Sequence, residues 1–140
     1  GGGADLILGG AGDDALQGGD QADTLRGHRG RDSLDGGAGR DLLFGDQGAD
    51  VLDGGAGRDR LRGGEGADRF VFRAAPEGDR ILDFEAGRDA IDVSGAGYAA
   101  EQARLVDLGD DRWRVRFDDG AMLVLEVEDA APTLDDFLFA

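Results

Sequence analysis

Large apolar residues recur at every ninth position through the first half of the chain, within a background of glycine, aspartate and other polar residues. They are Ile7, Leu16, Leu25, Leu34, Leu43, Leu52, Leu61 and Phe70. Each has mostly polar neighbours, which is the pattern of a strand of about three residues whose middle side chain faces inward. Because one such strand buries a single side chain, we expect successive strands to stack around a shared core.

The segments between these positions form a nine-residue repeat, Gly-Gly-x-Gly-x-Asp-x-apolar-x. Complete copies begin at Gly9, Gly18, Gly27, Gly36, Gly45, Gly54 and Gly63, and residues 1–8 form an eighth copy that lacks its first residue. Glycine at positions one, two and four allows a positive φ or the close approach of another backbone. Two repeats make one coil of 18 residues. Stacked coils predict an all-β fold, a right-handed parallel β-roll over residues 1–72.

Composition alone would allow another interpretation of this segment. The chain has 27 glycines in 140 residues, a content typical of flexible linkers, but a linker has no reason to keep aspartate and leucine in register. The net charge of −16 arises from 31 acidic residues against 15 arginines. This charge disfavours nucleic acid or an anionic membrane as a partner and favours a multivalent cation. Without its cation, so acidic a chain should be largely disordered.

Several classes of protein are disfavoured by what the sequence lacks. The absence of cysteine excludes disulfides and thiolate metal sites. No apolar run approaches the roughly 18 residues of a membrane span, and no N-terminal signal peptide is recognisable. The sequence has no His-Glu-x-x-His or Gly-x-Ser-x-Gly motif, so we expect no enzymatic activity of its own. Because it begins within a repeat, we expect a longer protein whose upstream domain holds any activity.

Aspartate occupies the sixth position of all eight repeats, at Asp5, Asp14, Asp23, Asp32, Asp41, Asp50, Asp59 and Asp68. Stacking brings aspartates 18 residues apart to the strand spacing of roughly 4.8 Å, where two carboxylates repel by about 1 kcal/mol in water. Calcium reverses this repulsion, because it binds about six to eight oxygens in flexible geometry. Magnesium fits less well, since it requires a near-ideal octahedron and keeps its waters. The pairing predicts about six calcium sites between turns.

Backbone carbonyls of the glycine turns are the expected additional ligands. The candidates are Gly1, Gly3, Gly10, Gly12, Gly19, Gly30, Gly37, Gly39, Gly48, Gly55, Gly57, Gly64 and Gly66. Three residues depart from the repeat. His28 and Asp46 replace the second glycine, which we expect to be tolerated if φ stays negative there. Gln21 replaces the position-four glycine, so we expect weaker sites around residues 18–26. His28 is the only histidine, which favours a solvated turn residue over a catalytic or zinc residue.

The repeats resemble the haemolysin-type calcium-binding (RTX) repeats of secreted bacterial toxins, proteases, lipases and alginate epimerases. The resemblance implies a calcium-bound β-roll in a secreted, extracellular protein. Residues 79–94 are similar to the segment after the repeats in serralysin-type metalloproteases. That similarity implies that Asp79 and Asp89 help to bind one further calcium near Asp68, in a turn where Asp79, Asp83, Asp89 and Asp92 converge. Solvated turn acids remain the alternative.

Residues 73–140 predict a capping region that closes the roll with an antiparallel sheet. The predicted strands are Arg80–Phe84, Ala90–Ser94, Leu105–Leu108, Arg112–Phe117 and Ala121–Val127, with a helical turn within Tyr98–Arg104. Strict alternation in the fourth strand points Trp113, Val115 and Phe117 inward. The arginines between them, Arg112, Arg114 and Arg116, are expected to neutralise nearby acids rather than to form an anion site.

Two functions of different classes follow from these features. The first is a module that folds on calcium binding outside the cell and supports export and stability of a larger protein. Its C-terminal residues 134–140 look like the uncleaved signal read by a type I secretion exporter, although an ordinary terminal strand explains them equally well. The second is a module of an extracellular enzyme or adhesin that binds a polysaccharide or a partner. Arg26, Phe44, Arg60 and Arg62, which the register places on one outer face, support the second function.

Overall fold

The computed structural model describes residues 1–127 and 130–140. Its strands in the first part of the chain are β1 (Leu6–Ala11), β2 (Ala15–Asp20), β3 (Thr24–Arg29), β4 (Ser33–Gly39), β5 (Leu42–Gln47), β6 (Val51–Asp53), β7 (Ala56–Gly57), β8 (Arg60–Glu65) and β9 (Arg69–Val71). Those that follow are β10 (Glu77–Phe84), β11 (Ala90–Asp92), β12 (Ala103–Gly109), β13 (Arg112–Phe117), β14 (Met122–Val127) and β15 (Phe137–Leu138). In the described residues, helix is limited to single 3-10 turns, and none is long and apolar enough to cross a membrane.

Two sheets face each other across the core. Sheet I has the strand order β1-β3-β5-β8-β10-β14-β13-β12, and sheet II has the order β15-β11-β9-β6-β4-β2, with β7 paired to β4. Neighbouring strands of the repeats are parallel and offset by 18 residues, as in the pairs Leu6 with Thr24 and Thr24 with Leu42. The predicted all-β roll, in which each coil consists of two repeats, is confirmed.

One side chain from each repeat forms the core of the roll. The residues Leu25, Leu34, Leu43, Leu52, Leu61 and Phe70 are at most 1% exposed. Each therefore contributes about 2 kcal/mol of hydrophobic stabilisation. Ile7 and Leu16, in the first coil, are only partly buried because a coil packs against them on one side alone. Ile81 and Ile91 continue the column of core residues into β10 and β11.

Most repeat strands are longer than the three residues that the sequence predicts. For example, β1, β3 and β5 each have 6 residues and extend through positions one and two of the next repeat, which are Gly-Gly in β1, Gly-His in β3 and Gly-Asp in β5. Pairing is interrupted at position one and resumes at positions two and three, as in Gly10 with His28 and Ala11 with Arg29. The hydrophobic pattern underestimated the length of the strands, because positions without an inward side chain leave no periodic signal.

Both sheets continue beyond residue 72. Strand β10 lies parallel to β8 in sheet I, and β11 lies parallel to β9 in sheet II. The predicted strand Ala90–Ser94 ends at Asp92, since Ser94–Ala96 form a 3-10 turn that closes with Gly97 in the left-handed region. The helical turn expected after Tyr98 is a 3-10 turn at Ala100–Gln102.

An antiparallel hairpin forms the outer part of the capping region. Strands β12, β13 and β14 pair antiparallel, and β14 joins β10 in parallel. As predicted, Val115 and Phe117 are buried and the arginines between them are exposed. The Tyr98 ring stacks on Phe117 at 4.0 Å, and its hydroxyl donates to Asp119 at 2.6 Å. Burial, together with this hydrogen bond, raises the pKa of the Tyr98 hydroxyl.

The C-terminal residues are part of sheet II. Strand β15 pairs in parallel with β11, and Phe137 is 5% exposed. Asp136 fixes this segment, because its Oδ1 accepts from the Gly87 N–H at 2.7 Å and its Oδ2 accepts from the Thr133 N–H at 2.7 Å. The segment predicted as an export signal is therefore ordered in the folded chain.

Truncation of a central core residue should be far more damaging than the same change in the first coil. We expect Leu43→Ala to lower the free energy of unfolding by about 2–5 kcal/mol, since its side chain is 0% exposed and leaves a cavity. Leu16→Ala, at a partly buried site, should cost clearly less. Urea unfolding of both variants in saturating calcium measures the difference, and equal losses would contradict the stacked-coil core.

Candidate metal centre

The repeat aspartates form two ladders, one along each edge of the roll, because successive turns lie on alternate sides of the two sheets. In each ladder, the backbone N–H of one aspartate donates to Oδ1 of the aspartate 18 residues later. The first ladder joins Asp5 to Asp23 (2.7 Å), Asp23 to Asp41 (2.7 Å) and Asp41 to Asp59 (2.8 Å). The second joins Asp14 to Asp32 (2.8 Å), Asp32 to Asp50 (2.8 Å) and Asp50 to Asp68 (2.9 Å). All six predicted pairs are therefore formed.

The second carboxylate oxygen of these aspartates points into the turn without a donor. Among the described residues, no hydrogen-bond partner reaches the buried Oδ2 atoms of Asp14, Asp23, Asp32, Asp41, Asp50, Asp59 and Asp68. A buried polar atom without a partner costs about 1–3 kcal/mol, and more when it is charged. A column of such atoms requires a compensating positive charge.

The position-one glycines line the space beside these oxygens. A Cβ added to Gly36 would lie 2.7 Å from Oδ2 of Asp41 and 2.6 Å from the carbonyl oxygen of Gly54. At Gly18 the corresponding atoms, Oδ2 of Asp23 and the Gly36 carbonyl oxygen, would both lie at 2.5 Å. A carboxylate oxygen and a carbonyl oxygen of the next coil thus converge on the same point. Oxygen donors of these two kinds are the ligands that calcium prefers.

The carbonyls of the position-one glycines were not among the ligands expected from sequence. A signal for them was present, since position one is glycine in all seven complete repeats although φ is not positive there. Glycine is therefore required at position one because another backbone approaches it closely. The glycines that were expected to supply carbonyls lie at positions two and four, where every one except Gly1 has a positive φ.

The position-four carbonyls also lie in a column along each edge. Among the described residues, no N–H donates to the carbonyl oxygens of Gly12, Gly30 and Gly48. The Cα of Gly30 packs against the Gly12 carbonyl, and the Cα of Gly48 packs against the Gly30 carbonyl. These oxygens are therefore available as ligands.

Each ladder is extended by an aspartate of the capping region. The Asp59 N–H donates to Asp79 at 2.8 Å, and the Asp68 N–H donates to Asp89 at 3.0 Å. Their spacings of 20 and 21 residues differ from the repeat spacing of 18. Oδ2 of Asp89 accepts from the Glu85 N–H at 2.9 Å, so this carboxylate differs from the repeat aspartates in having both oxygens paired.

The prediction that four acids of the capping region converge in one turn is wrong. Asp79 lies beside Asp59 rather than Asp68, on the opposite edge from Asp89, because β10 and β11 belong to different sheets. Asp83 accepts from the N–H groups of Gly63 and Gly64 at 3.0 and 2.9 Å. Asp92 accepts from the Ser94 hydroxyl at 2.6 Å.

Burial of the ladders disfavours the ionised carboxylates. Burial, with smaller contributions from neighbouring carboxylates, raises the pKa values of Asp41 and Asp50 and raises those of Asp59 and Asp68 to about 7. Burial likewise raises the pKa of Asp89 to about 6 and raises those of Asp79 and Asp83. A bound cation would favour the ionised form of each group.

The three departures from the repeat all adopt the backbone of the glycine that they replace. Gln21, His28 and Asp46 have φ values of 81°, 78° and 77°, so the expectation of a negative φ at position two is wrong. Two of these strained residues, His28 and Asp46, have side-chain contacts outside their own turns. Asp46 accepts from Arg26 at 2.6 and 3.1 Å, and His28 Nδ1 lies 3.3 Å from Oδ2 of Asp46.

A metal ion in the turns would be held by two carboxylates and by backbone carbonyls. Within residues 1–127 and 130–140, no three side chains of histidine, cysteine, aspartate or glutamate surround one point. Such a site suits a large, hard cation that accepts carbonyl oxygens, whereas zinc requires about four nitrogen, sulfur or carboxylate ligands. The unpaired Oδ2 atoms and the adjacent carbonyls therefore fit calcium.

Comparison with known proteins identifies the repeats. Residues 1–34, 17–52 and 35–70 match the RTX calcium-binding nonapeptide repeat (4 copies). These matches cover residues 1–70, which is half of the chain. The chain belongs to the RTX calcium-binding repeat family. Nonapeptide repeats of this family bind calcium, and the buried aspartates of this RTX chain fit that property. No curated protein matches it.

Solved structures of RTX-type modules resemble the whole chain. The AlgE6R3 subunit of the Azotobacter vinelandii mannuronan C5-epimerase is 36% identical, with a TM-score of 0.59, and the alignment covers 99% of this chain and 81% of that one. The AlgE6R2 subunit of the same enzyme is 35% identical, with a TM-score of 0.65, and the alignment covers 89% and 91%. The likeness includes the parallel β-roll.

A methyl group at position one should disturb the site without straining the backbone. We expect Gly36→Ala to weaken calcium binding and to lower stability by about 1–3 kcal/mol, because its Cβ would lie between Asp41 and the Gly54 carbonyl. Gly2→Ala is the matched control, since its Cβ meets nothing within 4 Å. Calcium titrations followed by far-UV circular dichroism measure both. Equal calcium midpoints for the two variants would rule out the position-one space as a binding site.

Proposed function

We propose that this RTX chain is a folding module of a larger extracellular protein, which takes up calcium in its turns and thereby completes the roll. The observation that carries the proposal is the set of seven buried Oδ2 atoms, divided between the two ladders, without donors among the described residues. Carboxylates so placed repel one another and are poorly solvated. Calcium supplies the positive charge and accepts the neighbouring carbonyls as further ligands.

In this proposal the ions lie between turns that are 18 residues apart. The repeat aspartates would hold them together with glycine carbonyls, and Asp79 and Asp89 would close the two ladders. About six ions would bring roughly twelve positive charges to a chain of net charge −16. Folding and metal binding would then be one thermodynamic event, because the unfolded chain does not hold the ligands together.

Export before folding gives this coupling a physiological use. Where free calcium is scarce, the repeats would remain unfolded and could pass through a type I secretion exporter, which would read residues 134–140. Outside the cell, calcium would fold residues 1–72 as the roll and residues 73–140 as its capping region. The order of residues 134–140 in sheet II is consistent with a signal that is accessible only before folding.

A second candidate function is contact with an acidic polysaccharide. The structurally similar modules come from a mannuronan C5-epimerase, and mannuronan is a polymer of uronic acids. The register places Arg26, Phe44 and Arg62 in one row on the outer face of sheet I. The Arg26 guanidinium lies 5.4 Å from the Phe44 ring centroid. Arginine and aromatic side chains on one flat face suit a charged sugar chain.

Removal of calcium should unfold the chain. In excess chelator we expect loss of the strand signal in far-UV circular dichroism and a red shift of Trp113 emission, and addition of calcium should restore both cooperatively. Magnesium at the same concentration should have little effect, because it requires a stricter geometry. An equally folded chain in chelator would overturn the proposal.

Substitution of one ladder aspartate should weaken calcium binding while the chain keeps its fold at saturating calcium. Asp41→Asn keeps the Oδ1 acceptor for the Asp23 N–H but replaces the unpaired oxygen with an amide. We expect calcium affinity to fall about tenfold, or about 1.4 kcal/mol. The variant should still fold at saturating calcium, so that the loss is measured as a shift of the calcium midpoint. Asp20→Asn, which alters an exposed residue, should bind calcium like the unsubstituted chain, and equal effects of the two variants would contradict the assignment.

A further inference from the structure

Arginines gather on the outer face of sheet I and continue from the roll into the capping region. One row of paired residues crosses all eight strands, namely Leu6, Thr24, Leu42, Arg60, Arg80, Val124, Arg114 and Val106. The adjacent row of the capping region contains Arg104, Arg116 and Met122. On the roll, Arg58 is two residues before Arg60 and shares a groove with Arg60 and Arg80. We call Arg58, Arg60, Arg80, Arg104, Arg114 and Arg116 the arginine face.

Most of these arginines have no carboxylate partner in the part of the chain that the structure describes. Among the described residues, no carboxylate lies within 4.0 Å of the guanidinium groups of Arg58, Arg60, Arg104, Arg114 and Arg116. Only Arg80 is paired, with Glu126. Arg112, Arg114 and Arg116 were expected to neutralise nearby acids. Arg112 lies 3.8 Å from Oδ2 of Asp110, whereas within the described residues no carboxylate reaches Arg114 or Arg116. The exposed guanidinium groups of these two arginines can therefore meet an anionic ligand.

The opposite outer face has a different character. On sheet II the outward positions include Ser33, Asp35, Asp53 and Asp92, with Arg69 as a basic exception. The edges of the roll carry the aspartate ladders. The arginine face therefore forms a stripe on sheet I that is a few residues wide, whereas other exposed arginines, such as Arg31, Arg69 and Arg73, lie outside it. From β8 to β12 the stripe crosses five strands, a length of roughly 19 Å at the usual strand spacing.

We propose that the arginine face binds a linear polyanion, an acidic polysaccharide laid across the strands so that it contacts both the roll and the capping region. This inference rests on the second candidate function above and extends its binding surface from the row of Arg26, Phe44 and Arg62 to the arginine face. Adjacent strands lie roughly 4.8 Å apart, which is about the length of one sugar residue, so carboxylates along the chain can meet arginines on β8, β10, β13 and β12, with the apolar residues of β14 between them. Val106, Met122 and Val124, which are exposed or half-buried between the arginines, offer apolar contact to the sugar rings.

The shape of the stripe favours a linear chain over the alternatives. A planar anionic membrane would also face the acidic edges of the roll, which repel it. Single-stranded nucleic acid binds by stacking its bases on exposed aromatic rings, and the row across the arginine face contains none. A polysaccharide contacts the stripe alone and leaves the acidic edges in water.

Titration of the calcium-saturated chain with an oligomannuronate long enough to cross five strands tests the proposal. Isothermal titration calorimetry at low ionic strength should show binding that weakens as salt is added. The variant Arg114→Ser/Arg116→Ser, in the capping region, and the variant Arg58→Ser/Arg60→Ser, on the roll, should each weaken binding about fivefold. The control Arg31→Ser/Arg69→Ser removes the same charge from exposed sites elsewhere and should bind as the unsubstituted chain does.

Each outcome has a distinct meaning. No binding by the unsubstituted chain, or equal binding of a neutral mannan oligomer, would overturn both the polysaccharide function and this inference. If the roll variant bound more weakly but the capping-region variant bound like the unsubstituted chain, the inference alone would be overturned. The same would follow if the control lost as much affinity as the two variants. Stronger binding to phosphatidylserine vesicles than to the oligomannuronate would also overturn it. Circular dichroism of each variant in calcium verifies that the roll has formed.

Discussion

The constraint on which the structure depends is the half-satisfied carboxylate at the sixth position of each repeat. One oxygen accepts the backbone amide of the aspartate 18 residues earlier, which fixes the coil length and the register. The other oxygen is buried beside a glycine carbonyl of the next coil without a donor among the described residues. The first contact fixes the register, and the second oxygen would make the fold unfavourable without a cation. A single residue type would thereby couple the geometry of the roll to the proposed metal.

Because every contact of this kind joins adjacent coils, stability is distributed along the stack rather than concentrated in one site. The ends of the stack are accordingly different from its interior. At one end, Ile7 and Leu16 are only partly buried. At the other end, the capping region closes both ladders with aspartates at the wider spacings of 20 and 21 residues. At Asp89, the Glu85 N–H donates to the second carboxylate oxygen, which in the repeats would contact the ion instead.

The sequence predicts the periodic part of this structure well, because a nine-residue period determines which aspartates meet and which leucines are buried. It fails where the determinant is not periodic. The position-one carbonyls were not predicted, because the repeat indicates that glycine is needed there but not which backbone atoms approach it. The positive φ of His28 and Asp46 occurs beside an ion pair between Asp46 and Arg26 of another repeat, which no local pattern reveals. The acids of the capping region were placed together because they are close in sequence, whereas β10 and β11 belong to different sheets.

The distribution of charge connects the metal to the outer surface. The eight repeat aspartates, together with Asp79 and Asp89, lie along the edges close to the proposed ions, whereas Arg60 and Arg114 lie on the outer face of sheet I. About six calcium ions would reduce a net charge of −16 to roughly −4. The reduction would occur at the edges and leave the arginines unchanged. The field in front of the arginine face would then be dominated by its own positive charge, since screening limits the influence of residual acids to about 10 Å. Calcium would therefore raise the affinity for an anionic ligand in two ways. It would fold the strands that align the arginines, and it would neutralise carboxylates that repel the ligand.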